Sequence, residues 1–267
     1  MSKNSLERSA NNQDPSADAF NVGFRSAARL FAREQPVTIS MVALGLIIPL
    51  YLFIPRELLK GRTFYMPATW LDHALPVAPA WSLVYLSLFL AALLPVFVVH
   101  QQELLRRTVN AFLAIWLVAY VFFVAYPTVG PRPSGVVIGD EFSVWLLRSI
   151  YSSDFRYNCF PSLHVAQCFL AALVCARVHR GVGAVAGLWA ALVGISTLYT
   201  KQHYVLDVIS GALLAYVAYR VFLRGYAREA TPEFERRLAP RLALGAIGTY
   251  GLMVAIMWIA YLNGVEI

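Results

Sequence analysis

The chain has 267 residues, of which 59% are hydrophobic and only 14% charged, with a mean hydropathy of +0.59. A soluble domain carries about 25% charged residues, so the composition excludes an ordinary water-soluble fold and points to a bilayer. The net charge of +7 would suggest nucleic acid in a soluble protein. Here it is explained by cytoplasmic loops that collect Lys and Arg, and no nucleic-acid partner is expected.

In chain order, residues 1–36 read as a cytoplasmic tail. Its first half is polar, and no cleavable signal peptide is visible before the apolar run that begins near Val37. From Phe20 to Glu34, Phe20, Phe24 and Phe31 recur at helical spacing while Arg25, Arg29 and Arg33 line another face. That pattern predicts a helix on an anionic membrane surface or a cap on the bundle. Apolar runs of about 20 residues then predict spans at 37–54, 79–99, 108–126, 162–178, 182–199, 203–223 and 241–263. The first is short and the fourth carries His164, so the fold class is an all-α integral membrane bundle of six or seven transmembrane helices. Residues 37–223 form the bundle, 224–240 a cytoplasmic loop and 241–267 an extra C-terminal helix. A short outer segment from Asp140 to Arg156 places Phe142, Trp145, Leu146 and Ile150 at helical spacing, as either a cover over a site or an interfacial anchor. Neither an internal repeat nor a soluble domain is evident.

The basic residues orient these spans. Fifteen lie on the N-terminal side and seven on the other, which together account for all 22. The positive-inside rule then places the N terminus in the cytoplasm and the C terminus outside. Arg outnumbers Lys 19 to 3, a bias that fits a bacterial chain and hence a bacterial inner membrane. Three cysteines provide no even disulfide framework. Cys168 and Cys175 read as helix packing and Cys159 as structural.

Three polar segments fall at outer span ends: YPTVGPRP after the third, NCFPSLH before the fourth, and STLYTKQHYVLD between the fifth and sixth. Ionisable groups at membrane depth are costly and usually face a bundle interior or cavity. His203 and Asp207 are four residues apart and share a helix face. A carboxylate on one ring nitrogen makes the other a better base or nucleophile, although a structural capping pair would look the same. His164 stands at a helix start behind Pro161 and Ser162. Proline suits the first helical position, the free N–H groups there attract anions, and the Ser162 hydroxyl adds a donor. Arg132 sits among Pro127, Pro131 and Pro133, with Gly130 and Gly135 permitting tight turns. Its planar fork matches phosphate oxygens, although a single Arg at the headgroup level would be equally ordinary.

Taken together, the segments resemble the signature of the type 2 phosphatidic acid phosphatase (PAP2) superfamily, K-x6-R-P, P-S-G-H and S-R-x5-H-x3-D. Arg132-Pro133 matches the end of the first. Pro161-Ser162-Leu163-His164 matches the second with Leu for Gly, and Ser196, His203 and Asp207 match the third at the family spacing. The resemblance covers about residues 79–223 and implies a PAP2-like core. It implies that His203 attacks phosphorus to form a phosphohistidine, that Asp207 orients His203, and that His164 protonates the leaving alcohol. Arg132, Ser162, Leu163 and Ser196 then fall at phosphate-binding positions, with no metal or other cofactor expected.

Two family cations are missing, since Ala125 replaces the Lys and Thr197 the Arg. Lys201 is a candidate replacement from a different position. A phosphomonoester carries about two negative charges near neutral pH and a diester one, so a cation-poor cradle suits a diester. P-S-L-H and H-Y-x-x-D also resemble the inositolphosphotransferase branch, which includes inositol phosphorylceramide synthases. That likeness implies transfer of a phosphate-linked headgroup from a phospholipid to a lipid alcohol. The alternative is a lipid phosphatase acting on phosphatidate or an isoprenyl (di)phosphate. A haem- or metal-binding protein with two axial histidines leaves Asp207, Ser162 and Arg132 without a task. A transporter would place its polar groups near the midplane.

Overall fold

The computed structural model describes residues 38–133, 135 and 138–265, so the amphipathic pattern at 20–34 lies outside the described residues. Its helices are α1 Ile39–Leu58, α2 Trp70–Ala74, α3 Pro79–Val98, α4 Gln102–Ala125, α5 Phe142–Ser153, α6 Leu163–Val178, α7 Arg180–Tyr199, α8 Val205–Leu223 and α9 Glu233–Leu262. Among the described residues there is no named strand. Six of these helices, α1, α3, α4, α7, α8 and α9, are long and apolar enough to cross a membrane. The protein is a multi-pass helical membrane protein.

Each predicted span coincides with a helix whose ends are shifted, and the fourth, α6, is shorter than the six candidate membrane spans. α1 runs on to Leu58 because its last turn, Ile54–Leu58, widens to π-helical pairing rather than stopping. α4 begins at Gln102, where the Gln101 side chain accepts the Leu104 N–H at 2.7 Å and caps the helix. Arg106 and Arg107 consequently lie inside the helix and pair with Glu103. The expected loop at 224–240 loses its second half, because α9 starts at Glu233 with Glu233 and Glu235 in its first turn and carries Pro240 in its interior. Acidic residues favour a helix start, and that signal outweighs the proline.

α6 is the short helix, 16 residues or about 24 Å at 1.5 Å per residue, and it occupies the middle of the bundle. It packs against α3, α4, α7 and α8 and touches α9. Val165, Ala166, Leu170, Ala171, Val174 and Cys175 have no exposed surface. By contrast, Leu213 on α8 and Leu252 on α9 are 59% and 63% exposed, the outward apolar surface a bilayer covers. Gly211 lets α8 come onto the start of α6, since an added Cβ would overlap the Ser162 carbonyl oxygen. That contact sets the start of α8, which carries Asp207 and is preceded by His203, beside the PSLH turn.

At the same end of the bundle, the connecting segments are joined by backbone hydrogen bonds. Tyr65 N–H donates to Pro127 O (2.9 Å), Val129 N–H to Tyr65 O (3.1 Å) and Gly130 N–H to Arg156 O (2.6 Å). Phe160 N–H donates to the Thr128 hydroxyl at 3.0 Å. The proline-rich loop after α4 is therefore held between the loop after α1 and the loop before α6.

Candidate active site

Ser162 caps α6. Its hydroxyl oxygen accepts the Val165 N–H at 3.3 Å and its own N–H donates to Asp207 O at 3.0 Å. The helix thus begins at Leu163, and Pro161 lies ahead of the cap behind a cis peptide bond rather than at the first helical position. Leu163 and His164 are the first two helical residues, whose N–H groups have no intrahelical partner.

His164 Nδ1 lies 3.0 Å from His203 Nε2. On its other side, His203 Nδ1 is 3.1 Å from Cys159 O and 3.4 Å from Asp207 Oδ2. Both acceptors place the His203 proton on Nδ1 and leave a lone pair on Nε2. The carbonyl is the nearer, so tautomer control is shared between Cys159 O and Asp207. Asp207 Oδ2 also accepts the Tyr204 N–H at 2.9 Å, whereas Asp207 Oδ1 is buried with no hydrogen-bond partner among the described residues. His203 is 3% exposed and Asp207 fully buried.

Arg132 is held from several sides. Its Nη1 donates to Tyr151 O (3.1 Å) and Asp154 O (2.9 Å), and its Nη2 to Gln202 Oε1 (2.5 Å). The Asp154 carboxylate is 3.8 Å away, and the guanidinium lies over the Tyr151 ring at 4.9 Å. Burial pushes the Tyr151 phenol up to about 12 against the opposing pull of Arg132. Among the described residues, Arg132 Nε and Gln202 Nε2 are buried donors without a partner. Gly130 beside them is closely packed, since an added Cβ would sit 3.1 Å from Gln202 O and 3.3 Å from Cys159 Sγ.

Two tyrosines and one carboxylate complete the surroundings, and none was visible as a site residue in the sequence. Tyr51 from α1 and Tyr85 from α3 set their rings edge-on to His164 at 6.2 and 5.8 Å. Tyr51 donates to Asp154 Oδ1 at 3.0 Å, and Tyr85 makes a longer contact to Asp154 Oδ2 at 3.4 Å. Asp154 thereby joins Arg132 to the aromatic wall around His164. Single tyrosines inside apolar runs and an Asp in a loop carry no spacing signal that would have marked them.

Two expected phosphate ligands lie elsewhere. Lys201, with φ of 53°, turns its ammonium onto Asp72 O (2.9 Å) and Leu75 O (2.7 Å). Burial lowers its pKa and Asp72 partly restores it. Asp72 in turn accepts the Val205 N–H at 2.8 Å, so Lys201 belongs to a clasp between α2 and the start of α8. The Ser196 hydroxyl donates to Val193 O in its own helix at 2.6 Å. The structure therefore brings together His164, His203, Asp207, Ser162 and Leu163, joins Arg132 to their surroundings through Asp154 and Gln202, and sends Lys201 and Ser196 elsewhere.

α5 forms over Phe142–Ser153 with Leu146, Leu147 and Ile150 buried. Its first turn is tied to the end of α9: Trp145 Nε1 donates to Val265 O at 2.9 Å and Phe142 meets Trp258 edge-on at 4.7 Å. Its last turn supplies Tyr151 O to Arg132. A separate apolar crevice of about 500 Å³ between α3, α7 and α9, lined by Leu90, Leu94, Trp189 and Ile247, contains none of the motif residues.

A family model described as the PAP2 superfamily matches residues 37–221. The chain belongs to the PAP2 superfamily. No curated protein and no solved structure matches it. Membership and the apolar helices support phosphatase or phosphotransferase chemistry on a lipid in general. The matched segment starts at α1 and ends within α8, so α9 lies outside it.

Proposed function

We propose that this PAP2 protein is a lipid phosphotransferase that moves a phosphate-linked headgroup from a phospholipid to a lipid alcohol through a phosphohistidine on His203. His203 Nε2 attacks phosphorus, the P–N bond forms, the bond from phosphorus to the lipid oxygen breaks, and His164 gives its proton to that oxygen. In the second half His164 takes the proton of the incoming alcohol, the new O–P bond forms and the P–N bond breaks. Arg132, the free N–H groups at Leu163 and His164, and the Ser162 hydroxyl stabilise the negative oxygens. At 3.0 Å the two imidazoles leave no room for phosphorus between them, so substrate entry must part them.

The observation that carries the choice of donor is the shortage of free positive charge. Lys201 is spent on Asp72 O and Leu75 O, and Arg132 already faces the Asp154 carboxylate. One negative charge on a diester suits this cradle better than the roughly two of a monoester. Hydrolysis of a lipid phosphate is the second reading. The unpartnered Arg132 Nε and Gln202 Nε2 favour it, because extra donors would help to hold a dianion.

Purified protein given a phosphodiester lipid and a labelled lipid alcohol is expected to form labelled product, with slow hydrolysis when the alcohol is withheld. Rapid, alcohol-independent phosphate release from phosphatidate or an isoprenyl diphosphate would establish the second reading. Because α5 is fastened to α9 at Trp145 and to Arg132 at Tyr151, Trp145→Ala is expected to raise the share of product going to water.

The shared acceptor at His203 Nδ1 gives a graded expectation for Asp207. Losing the carboxylate of a serine-protease triad costs about 10⁴-fold, largely through the wrong tautomer. Here Cys159 O stays in place to hold the proton on Nδ1, so Asp207→Asn is expected to cost less, on the order of 10²-fold in kcat. A loss as deep as that of His203→Ala would show that the carbonyl contributes nothing.

A further inference from the structure

Cys159, His203 and Asp207 each direct a ligand atom into one small volume. The Cys159 sulfur, an imidazole nitrogen of His203 and a carboxylate oxygen of Asp207 all lie within 4.8 Å of one another, and all three residues are buried. A second observation is independent of that spacing. Asp207 Oδ1 is fully buried with no hydrogen-bond partner among the described residues. A bare carboxylate oxygen out of water is costly unless something positive meets it. The PAP2 motif uses His203 and Asp207 but has no thiol, and nothing in the proposed transfer uses Cys159 Sγ.

We infer that Cys159, His203 and Asp207 form a binding site for a thiophilic divalent cation, zinc above all, and that its occupation switches the transfer site off. Thiolate, imidazole and carboxylate are a common zinc donor set, whereas magnesium and calcium prefer all-oxygen shells. Tetrahedral zinc with ordinary bond lengths separates its N, O and S ligands by about 3.4–3.6 Å. His203 Nδ1 and Asp207 Oδ2 already stand 3.4 Å apart, so entry of the ion requires the sulfur to close in and the Cys159 carbonyl oxygen, 3.1 Å from Nδ1, to swing aside. One thiolate and one carboxylate balance the two charges of the ion, which lets the ion sit buried.

Burial first, and then Asp207, push the Cys159 thiol above its ordinary range, so without metal it stays protonated. A bound ion deprotonates a coordinating thiol outright, and that proton leaves to solvent. On His203 the ion takes the Nδ1 lone pair, and the ring proton moves from Nδ1 to Nε2. The nitrogen that must attack phosphorus then carries a hydrogen and has no lone pair. Metal binding is independent of the reaction proposed above, while the switching rests on His203 being the nucleophile.

The test uses the full chain purified in detergent and freed of metal with a chelator. Zinc chloride is expected to bind at one equivalent per chain. Cobalt chloride is expected to give a thiolate-to-cobalt charge-transfer absorption, and magnesium chloride to give neither. Zinc should suppress diester-to-alcohol transfer, with EDTA restoring it. Cys159→Ser removes one ligand and should weaken zinc binding by more than the about 10–100-fold cost of losing an outer-shell partner. Cys168→Ser, a buried thiol outside the cluster, should bind like the wild type. Each variant is read as the ratio of its rates with and without zinc. Absence of the cobalt band in the wild type, or equal zinc affinity in Cys159→Ser, overturns the site whether or not any variant turns over. Stoichiometric, Cys159-dependent binding that leaves the rate unchanged overturns the switch, and the phosphoenzyme test on His203→Ala then decides separately whether His203 is the nucleophile.

Discussion

His203→Ala is expected to remove turnover by about 10⁴–10⁶-fold, the scale of loss when a covalent nucleophile is deleted from a cooperating set. With it should go any acid-labile, alkali-stable phosphoenzyme formed from a headgroup-labelled donor. No neighbour replaces this nitrogen. His164 is the nearest base, 3.0 Å from His203 Nε2, but it lies in the first turn of α6 and, among the described residues, has no pair of acceptors like those that hold a proton on His203 Nδ1. Cys159 is buried, with its thiol donating to Arg156 O at 3.3 Å. Rapid quench with labelled diester separates this from a folding defect. An inactive variant that elutes as wild type and still binds donor supports the assignment. A variant that keeps its phosphoenzyme would transfer the nucleophile to another residue.

Most of the architecture was legible because a bilayer makes helices obligatory and sets their length. Each predicted span corresponds to a helix, including the uncertain fourth. What shifted were ends: Glu233 and Glu235 begin α9 ahead of Pro240, and Gln101 starts α4 ahead of Arg106 and Arg107. Charged residues at a helix terminus depress hydropathy while extending the helix. At the site, His164, His203 and Asp207 were legible because the topology collects their segments at one side. His164 and Asp207 lie in the first turns of α6 and α8, but His203 precedes the Tyr204 cap of α8, so it shares no helix face with Asp207 and meets it through the turn that leads into the helix. Lys201 shows the limit of that reasoning. It stands at a different position from the family cation, and a left-handed backbone at φ 53° points its side chain at α2. No pattern at Lys201 encodes the carbonyls of Asp72 and Leu75. Tyr51, Tyr85 and Asp154 were illegible for a related reason: they come from three distant segments and acquire a common task only through contact.

His164→Ala is expected to lower transfer by about 10²–10⁴-fold, the range a positioned general acid contributes, with the loss depending on the leaving group. A diacylglycerol alkoxide is a poor leaving group and needs its proton as the P–O bond breaks. An aryl phosphodiester departs as a weakly basic phenolate and does not. The variant should therefore recover much of its rate with the aryl donor, and phosphoenzyme formation should recover more than the second half-reaction, in which His164 must still deprotonate the alcohol. The geometry adds a further consequence. In the resting site His164 Nδ1 faces the lone pair of His203, so removing the imidazole unmasks the nucleophile. Donor binding should be unchanged or tighter even as turnover falls, a split between KM and kcat that simple damage to the fold would not produce. Equal losses on diacylglycerol and aryl donors would show that His164 does not act as the acid.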